Sequence, residues 1–509
     1  MIIKNILKKN SIVFLTLTLL VVLVYANALP NEFTSDDMRG ILHNKNLGEF
    51  NLHVVGFVQG VLHDLIFQIW GRLPAPYRAV NIIFHILNSW LVFILVAKTM
   101  KKRDAAFIAA AIFCVHPILV ESITWISGGI YALYSFFFLL SFVFYLKAKE
   151  KSWWLIFSLL AFLAALISSE KAIILPLVLF VWELSEGKLK RNWFSLVPHF
   201  LLSGFWFLYF VVLGKITERI SDIQTHFYSS GDNYNWFLEL PAAISSYLEL
   251  IFYPKDLTLY HTEMAFTNFE FALRTSVLIV FLVILVVLLK KNLKLFFWLS
   301  FFLITLFPVL TPLPVAWIVA ERYVYLGSIG IFVVIALAFK TLMERSKPQW
   351  LAYLALAIFL ASFGARTIMR NVDWKNEDNL WLATVKVSPS GENIHNNLGD
   401  VYGRRGDKLK AIEEFKKAIL INPRYADAMH NLANTYMEIG KTEKAIFWYA
   451  EAIKNNPLLW QSYQNLGAIY YELGELEVAE QLFTEAVKLR PDNDNLKANL
   501  EIIRGMINQ

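Results

Sequence analysis

Two adjacent carboxylates, Asp36 and Asp37, close the run Phe33-Thr34-Ser35-Asp36-Asp37 just after the first long apolar stretch. Neighbouring carboxylates raise each other's proton affinity, so one can serve as a base near neutral pH while the other stays ionised or holds a divalent cation, Mg or Mn. The alternative is a solvated loop pair with no chemistry. Other ionisable residues also sit at the ends of apolar stretches, where a charge beside a bilayer is costly and therefore a functional candidate. His116 and Glu121, in His116-Pro117 and the residues that follow, could orient a phosphate or a sugar hydroxyl, or form a structural pair. Lys171, in Ser168-Ser169-Glu170-Lys171, could meet phosphate as a point charge or snorkel to the interface. In Ala320-Glu321-Arg322-Tyr323, Arg322 could grip phosphate bidentately or pair with Glu321. Phosphate-loop, dinucleotide, serine-hydrolase and HExxH patterns do not occur.

The elements that must position these residues are apolar. Of 509 residues 57% are hydrophobic and only 17% charged, which excludes a water-soluble globule for most of the chain. The net charge of +6 is too small and too evenly spread for a nucleic-acid binder, and the single Cys114 excludes an internal disulfide framework or a multi-cysteine metal site. Up to about residue 370 there are roughly eleven runs near the ~20 residues that cross a bilayer core as a helix. They lie near 11–29, 77–97, 105–120, 125–146, 153–168, 171–184, 193–213, 272–289, 295–312, 323–341 and 350–367.

Basic clusters begin at Lys4, Lys98, Lys147, Lys188, Lys290 and Lys340, and all fall on one side of these spans. Positively charged loops stay cytoplasmic, so the segments near 30–76, 115–127, 215–271 and 313–322 face outward, as does everything after about Asn371. Residues 236–253 carry Glu239, Pro241 and Glu249 and read as an interfacial helix, because counting them as a span would reverse every later loop. The first run ends in a signal-like Ala26-Asn27-Ala28 and reads as an uncleaved span.

After Arg370 the composition turns polar and repeats every 34 residues: Pro389, Pro423, Pro457 and Pro491; Gly406, Gly440 and Gly474; Ala411, Ala445 and Ala479. Small residues where two helices touch, a glycine between them and a proline before the next pair make the tetratricopeptide signature. Three repeats occupy 392–491, and residues 494–507 supply a capping helix. Asn397, Asn431 and Asn465 recur one above another on the concave face, where side-chain amides can pair with the backbone of a peptide acceptor; the alternative is that they are merely solvated.

Phe33 to Asp37, "YRAVNIIFHILNS" at Tyr77, "VHPILVESITWISG" at Val115, "SSEKAIILPL" at Ser168, "AERYVYLGS" at Ala320 and the repeats occur in this order. So ordered, the chain resembles the transmembrane and tetratricopeptide-repeat O-mannosyltransferases, of the C-type glycosyltransferase superfamily. The basic loops and small number of repeats suggest a bacterial relative. The resemblance implies an all-α protein: a polytopic membrane helical bundle of about 11 spans over 1–370, a linker at 371–391, and a tetratricopeptide α-solenoid over 392–509. It implies a polyprenyl-phosphate-linked sugar as donor, a protein hydroxyl as acceptor, no nucleic acid, and an inner or plasma membrane setting with the repeats extracytoplasmic. Asp36 and Asp37 match the family's catalytic acidic pair. Arg78, His116, Glu121, Lys171, Glu321, Arg322 and Tyr323 are the candidates for donor phosphate and sugar. A lipid-diphosphate oligosaccharide ligase and a non-catalytic scaffold are the competing readings.

Overall fold

The computed structural model describes residues 10–50, 56–212, 236–264, 266–310 and 317–508. The basic residues Lys4, Lys8 and Lys9 and the outward residues 215–235 and 313–316 lie outside the described residues. All regular structure in the described residues is helical, in two compact units, Met1–Leu380 and Trp381–Gln509. The stretch 371–391, expected as a linker, is largely helix: one helix ends at Asp373 and the next runs Glu377–Val387, with the division between units inside the latter.

The first unit contains α1 (Asn10–Tyr25), α2 (Phe57–Trp70), α3 (Pro74–Met100), α4 (Arg103–Val115), α5 (Ile130–Ala148), α6 (Trp154–Ser168), α7 (Leu175–Ser185), α8 (Leu189–Val212), α9 (Trp236–Phe252), α10 (Asn268–Lys291), α11 (Leu293–Leu306), α12 (Ser328–Arg345) and α13 (Trp350–Asp373), and leads into α14 (Glu377–Val387). Each expected apolar run coincides with one of these helices. Among the described residues, six helices are long and apolar enough to cross a membrane: α1, α3, α5, α8, α10 and α13 with their flanking turns. A seventh is α4 joined to Pro117–Thr124 across a 55° bend. The unit is thus the helical bundle of a multi-pass membrane protein, with fewer full-length helices than the eleven runs. The 11 residues of α7 reach only about 16 Å at 1.5 Å per residue, half the bilayer core.

Local chemistry explains the helix ends. Pro74 at the first helical position starts α3, where its missing N–H costs nothing. Pro117 ends α4, because it has no N–H to continue the ladder. Thr267 and Glu270 bond reciprocally in a capping box at the start of α10, and Lys290 and Lys291 meet the negative end of its dipole. Small residues let the helices approach closely: Ala105, Ala106, Ala109, Ala110 and Ala111 on α4 are all buried, and a Cβ on Gly330 would sit 2.2 Å from the Trp298 carbonyl.

One end of the bundle gathers basic clusters. Arg103 bonds Asn10 at 2.7 Å, and the buried Glu183 takes Lys149 at 2.5 Å and Asn192 at 2.7 Å. The other end gathers the breaks between helices: residues 29–37, the turns at 116–129, the 3-10 turn Glu170–Ile174 and the turn Glu321–Val324.

In the second unit the helix pairs are α15 (Glu392–Arg404) with α16 (Lys408–Ile421), α17 (Ala426–Glu438) with α18 (Thr442–Asn455), and α19 (Trp460–Glu472) with α20 (Leu476–Leu489), followed by α21 (Asp494–Ile507). Gly406, Gly440 and Gly474 turn each hairpin with φ of +82°, +71° and +80°, which L side chains rarely adopt. Ala411, Ala445 and Ala479 are fully buried where the helices of each pair meet.

Candidate active site

Asp36 and Asp37, adjacent in sequence, occupy opposite environments: Asp36 is exposed and Asp37 is fully buried. Oδ1 of Asp37 accepts from the backbone N–H of Ser127 at 2.8 Å and from its hydroxyl at 2.5 Å, while Oδ2 accepts the Thr34 N–H at 3.4 Å. Burial pushes the Asp37 carboxyl up to about 6, against the lowering pull of these bonds and of the Arg78 charge. Ser35, just before the pair, is held at φ +54°, an uncommon conformation for a residue with a Cβ. The Glu377 carboxylate accepts its backbone N–H, and the Glu32 N–H donates to the Lys375 carbonyl at 2.8 Å. The phenol of Tyr260 lies near the Ser35 side chain and within electrostatic reach of Asp36, Arg322 and Glu121.

Arg78 is buried, and its guanidinium donates to the carbonyls of Thr124 at 2.7 Å, Asn31 at 2.7 Å, Glu32 at 2.9 Å and Leu29 at 3.3 Å. The resemblance assigned it to donor phosphate; in this geometry its donors are spent tying the acidic loop to the turn after α4. Asn81, one helical turn along, holds the same turn through the carbonyls of Ile123, Trp125 and Ile126. A Cβ on Gly129 would lie 1.9 Å from the Asn81 amide oxygen, so glycine is required for this approach.

Glu121, Glu321 and Arg322 meet here with a residue that sequence reasoning missed, Arg370. Glu121 is buried and pairs with Arg322, accepting its side chain and, at 2.7 Å, its backbone N–H. Glu321 pairs with Arg370 at 3.1 Å and accepts the Thr258 N–H at 2.5 Å. The Arg322–Glu321 pair, the alternative to a phosphate grip, does not form; two crossed pairs take its place. Trp125 and Trp374 stack at 5.7 Å, with Arg322 5.5 Å from the Trp125 ring and Arg370 5.8 Å from the Trp374 ring. Burial raises the proton affinity of Glu321, opposed by Arg370, and burial beside Arg370 and Arg322 lowers that of His261 to about 3. Arg370 ends the last apolar run, so the rule that singled out the other span ends would have found it.

Lys171 lies at the neighbouring turn, 3.1 Å from Glu170 and 5.4 Å from the Tyr131 ring. Tyr131 and Tyr323 are 6.0 Å apart and Arg322 lies 5.0 Å over the Tyr323 ring, so the two candidate cations flank an aromatic pair. His116 stands elsewhere. Buried against Phe332 and Phe363, it spends one ring nitrogen on the Ile251 carbonyl at 2.9 Å and the other on the Ile118 N–H at 3.2 Å. Neither nitrogen is left to orient a phosphate or a sugar hydroxyl, and His116 instead joins α9 to the end of α4.

Asn397, Asn431 and Asn465 are half-buried at equivalent positions of α15, α17 and α19. Asn431 donates to Asn396 at 3.0 Å and Asn465 to Asn434 at 2.9 Å, each amide reaching the preceding repeat. Part of the expected peptide-binding capacity thus stitches neighbouring repeats together. No group of three or more His, Cys, Asp or Glu side chains that could hold a metal ion occurs among the described residues. With Oδ1 of Asp37 already accepting twice from Ser127, Asp36 and Asp37 do not form a fitting set for a divalent cation.

Tetratricopeptide-repeat family models match residues 392–425, 414–447 and 460–493. A protein O-mannosyl-transferase of Caenorhabditis elegans is 24% identical over 82% of this chain and 63% of its own length. Protein O-mannosyl-transferase TMTC3 of Mus musculus is 25% identical over 82% of this chain and 52% of its own, and the Homo sapiens protein 24% over 78% and 50%. The chain spans between half and two thirds of the length of these relatives. Among solved structures, a crystal structure of MamA protein aligns with 24% of this chain and 68% of its own at 22% identity and a TM-score of 0.23. With helices long and apolar enough for a multi-span bundle in one unit and tetratricopeptide repeats in the other, the chain is similar over most of its length to proteins named as TMTC protein O-mannosyl-transferases.

Proposed function

We propose that this protein moves a hexose, mannose by the name of its relatives, from a polyprenyl-phosphate-linked donor to a hydroxyl of a protein acceptor on the extracytoplasmic face. The observation that carries this reading is an exposed carboxylate, Asp36, on a loop tied to the bundle by Ser127, Arg78 and Glu377, with Arg322 and Lys171 at adjacent turns.

A lipid-linked donor keeps its tail in the bilayer and its head at the surface, so its transferase needs its reacting groups at the end of a membrane bundle. Asp36, the carboxylate with room for a partner, takes the proton of the acceptor hydroxyl. That oxygen bonds to the anomeric carbon as the bond from this carbon to the phosphate oxygen breaks, and the phosphate leaves with the electron pair. Charge gathers on the departing phosphate, where Arg322 and Lys171 stabilise it most as the bond breaks. Tyr323 and Tyr131 between them offer faces for the sugar, and Glu121 and Glu321 keep the arginines in place. Asp37 is a positioning residue: it holds the turn on which Asp36 rides. The repeats recruit the acceptor, with Asn397, Asn431 and Asn465 on their concave face.

The test is transfer in membranes supplied with polyprenyl-phosphate-linked mannose and a protein acceptor. Asp36→Asn with Asp37→Asn should abolish it, and undiminished transfer by the double variant refutes the assignment. Transfer of a preassembled glycan from a diphosphate-linked lipid instead would make the protein a ligase.

A further inference from the structure

The stretch 253–264 after α9 has no helix, yet it is pinned along its length. His116 bonds the Ile251 carbonyl at 2.9 Å, and Arg366 donates to the carbonyls of Pro254 at 3.3 Å and Lys255 at 3.0 Å. Leu257 and Leu259 are buried, and from between them Thr258 donates its backbone N–H to Glu321 at 2.5 Å. His261 lies 3.9 Å from the same carboxylate oxygen. A segment fixed on both sides of Tyr260 holds that residue in a defined place.

Tyr260 is half-buried and stacks on Trp317, their ring centroids 4.2 Å apart and their planes 15° from parallel. Trp317 stands on the stretch that leads into Glu321 and Arg322. The Tyr247 hydroxyl holds that stretch in turn, donating to the Ile318 carbonyl at 3.4 Å and accepting the Ala320 N–H at 3.2 Å. With its ring on the arginine side and its hydroxyl near the Ser35 side chain, Tyr260 joins the turn of Arg322 to the loop of Asp36. Burial and the Asp36 charge push the phenol up to about 12, against the pull of Arg322, so it keeps its proton near neutral pH. It is therefore a hydrogen-bond donor and not a base.

In the proposed transfer, on which this inference rests, the acceptor hydroxyl meets Asp36 and the donor phosphate meets Arg322. The bond that breaks then lies close to a phenol within reach of both side chains. Donation to Asp36 would stabilise its anion and make it a weaker base. Donation to the departing oxygen gains strength as charge gathers there, which lowers the barrier. We propose that Tyr260 is a further catalytic residue, its phenol donating a hydrogen bond to the departing phosphate oxygen alongside Arg322. The proton stays on the phenol throughout. That oxygen is uncharged in the donor and carries charge in the released polyprenyl phosphate, so the bond favours transition state and product over the bound donor.

The test uses the full chain purified in detergent and Tyr260→Phe, which keeps the ring on Trp317 and removes only the hydroxyl. Transfer from polyprenyl-phosphate-linked mannose should fall by about 100-fold in kcat, with KM for the donor little changed. Undecaprenyl phosphate, read by native mass spectrometry beside undecaprenol, should bind the variant about 10-fold more weakly than the wild type, while the alcohol binds both alike. Full kcat in the variant overturns the proposal, as does unchanged binding of the phosphate. A slower variant with unchanged phosphate binding and a displaced acid limb in its pH–rate profile would put the hydroxyl on Asp36 instead. A wild type that transfers no mannose from this donor defeats the proposed function, yet weaker binding of undecaprenyl phosphate by Tyr260→Phe would still support the phosphate contact.

Discussion

Ser127 donates both its backbone N–H and its hydroxyl to one oxygen of Asp37, at 2.8 and 2.5 Å, and so bolts the acidic loop to the turn that follows α4. Both bonds favour the ionised carboxylate, while burial favours the protonated form, and burial prevails, raising the group from 3.8 to about 6. A carboxyl raised in the fold adds stability at low pH that is lost as pH rises from the unfolded value through about 6. Transfer has the opposite dependence, since the bolt needs the anion: activity should rise through about pH 6. Ser127→Ala removes one charge-assisted bond worth ~1.5–3 kcal/mol, so the acid limb should move up by about one to two pH units. A pH–rate profile of the variant measures this, and an unmoved limb would mean that Asp37 does not control it.

Glu121 and Arg322 form a pair with one member fully buried and the other nearly so. Removing either partner strands the other in a poor solvent, so Glu121→Gln or Arg322→Ala alone should destabilise the detergent-solubilised protein by about 3–5 kcal/mol. Replacing both by apolar residues of similar volume, Glu121→Leu with Arg322→Met, should recover most of that loss yet leave transfer abolished. Thermal unfolding and a transfer assay on the same three samples separate the two effects.

Glu377 accepts the backbone N–H of Ser35, one residue before Asp36. If it positions the acidic loop, Glu377→Ala should lower kcat by about 10-fold or more, the equivalent of one charge-assisted bond, with KM little changed. Glu377→Gln keeps an acceptor oxygen and should recover much of the rate. A fall in stability with kcat intact would show instead that Glu377 only braces the fold.

In the repeats, His395 sits 2.6 Å from Glu414 and 2.8 Å from the Pro389 carbonyl. The Glu414 bond raises its proton affinity above the usual histidine range. The stabilisation this provides is complete below the unfolded value near 6.5 and lost as pH rises through the higher folded value. Unfolding of the repeat unit should therefore ease as pH is raised from about 6 to 8, and His395→Gln should flatten that dependence. Urea midpoints across the range decide the matter.

Much of the architecture was legible without coordinates because it is periodic. The 34-residue spacing of Gly406, Gly440 and Gly474 implies a turn with positive φ in each hairpin, and the turns have it. Apolar runs find helices because burying backbone polar groups in lipid leaves few alternatives to the intrahelical bond. Run length was a poorer guide to helix length: a proline at 117 and the short 3-10 turn at Glu170–Ile174 break what hydropathy alone joins.

At the candidate site, residue type and position at a span end singled out Asp36, Asp37, Glu121, Lys171 and Arg322, since a charge there is costly wherever the chain folds. Which charge meets which was not accessible that way. Arg322 pairs with Glu121, 201 residues away, and leaves its neighbour Glu321 to Arg370. Arg78 and His116 have the right chemistry for a ligand, but backbone carbonyls and an amide already occupy their polar atoms. Sequence by itself determined the helical bundle, the repeats and the span ends at which charge collects, because these follow from local hydrophobic pattern. Only tertiary structure decided that Asp36 faces solvent while Asp37 is buried on Ser127, because burial and partnership depend on segments distant in the chain and converging in space.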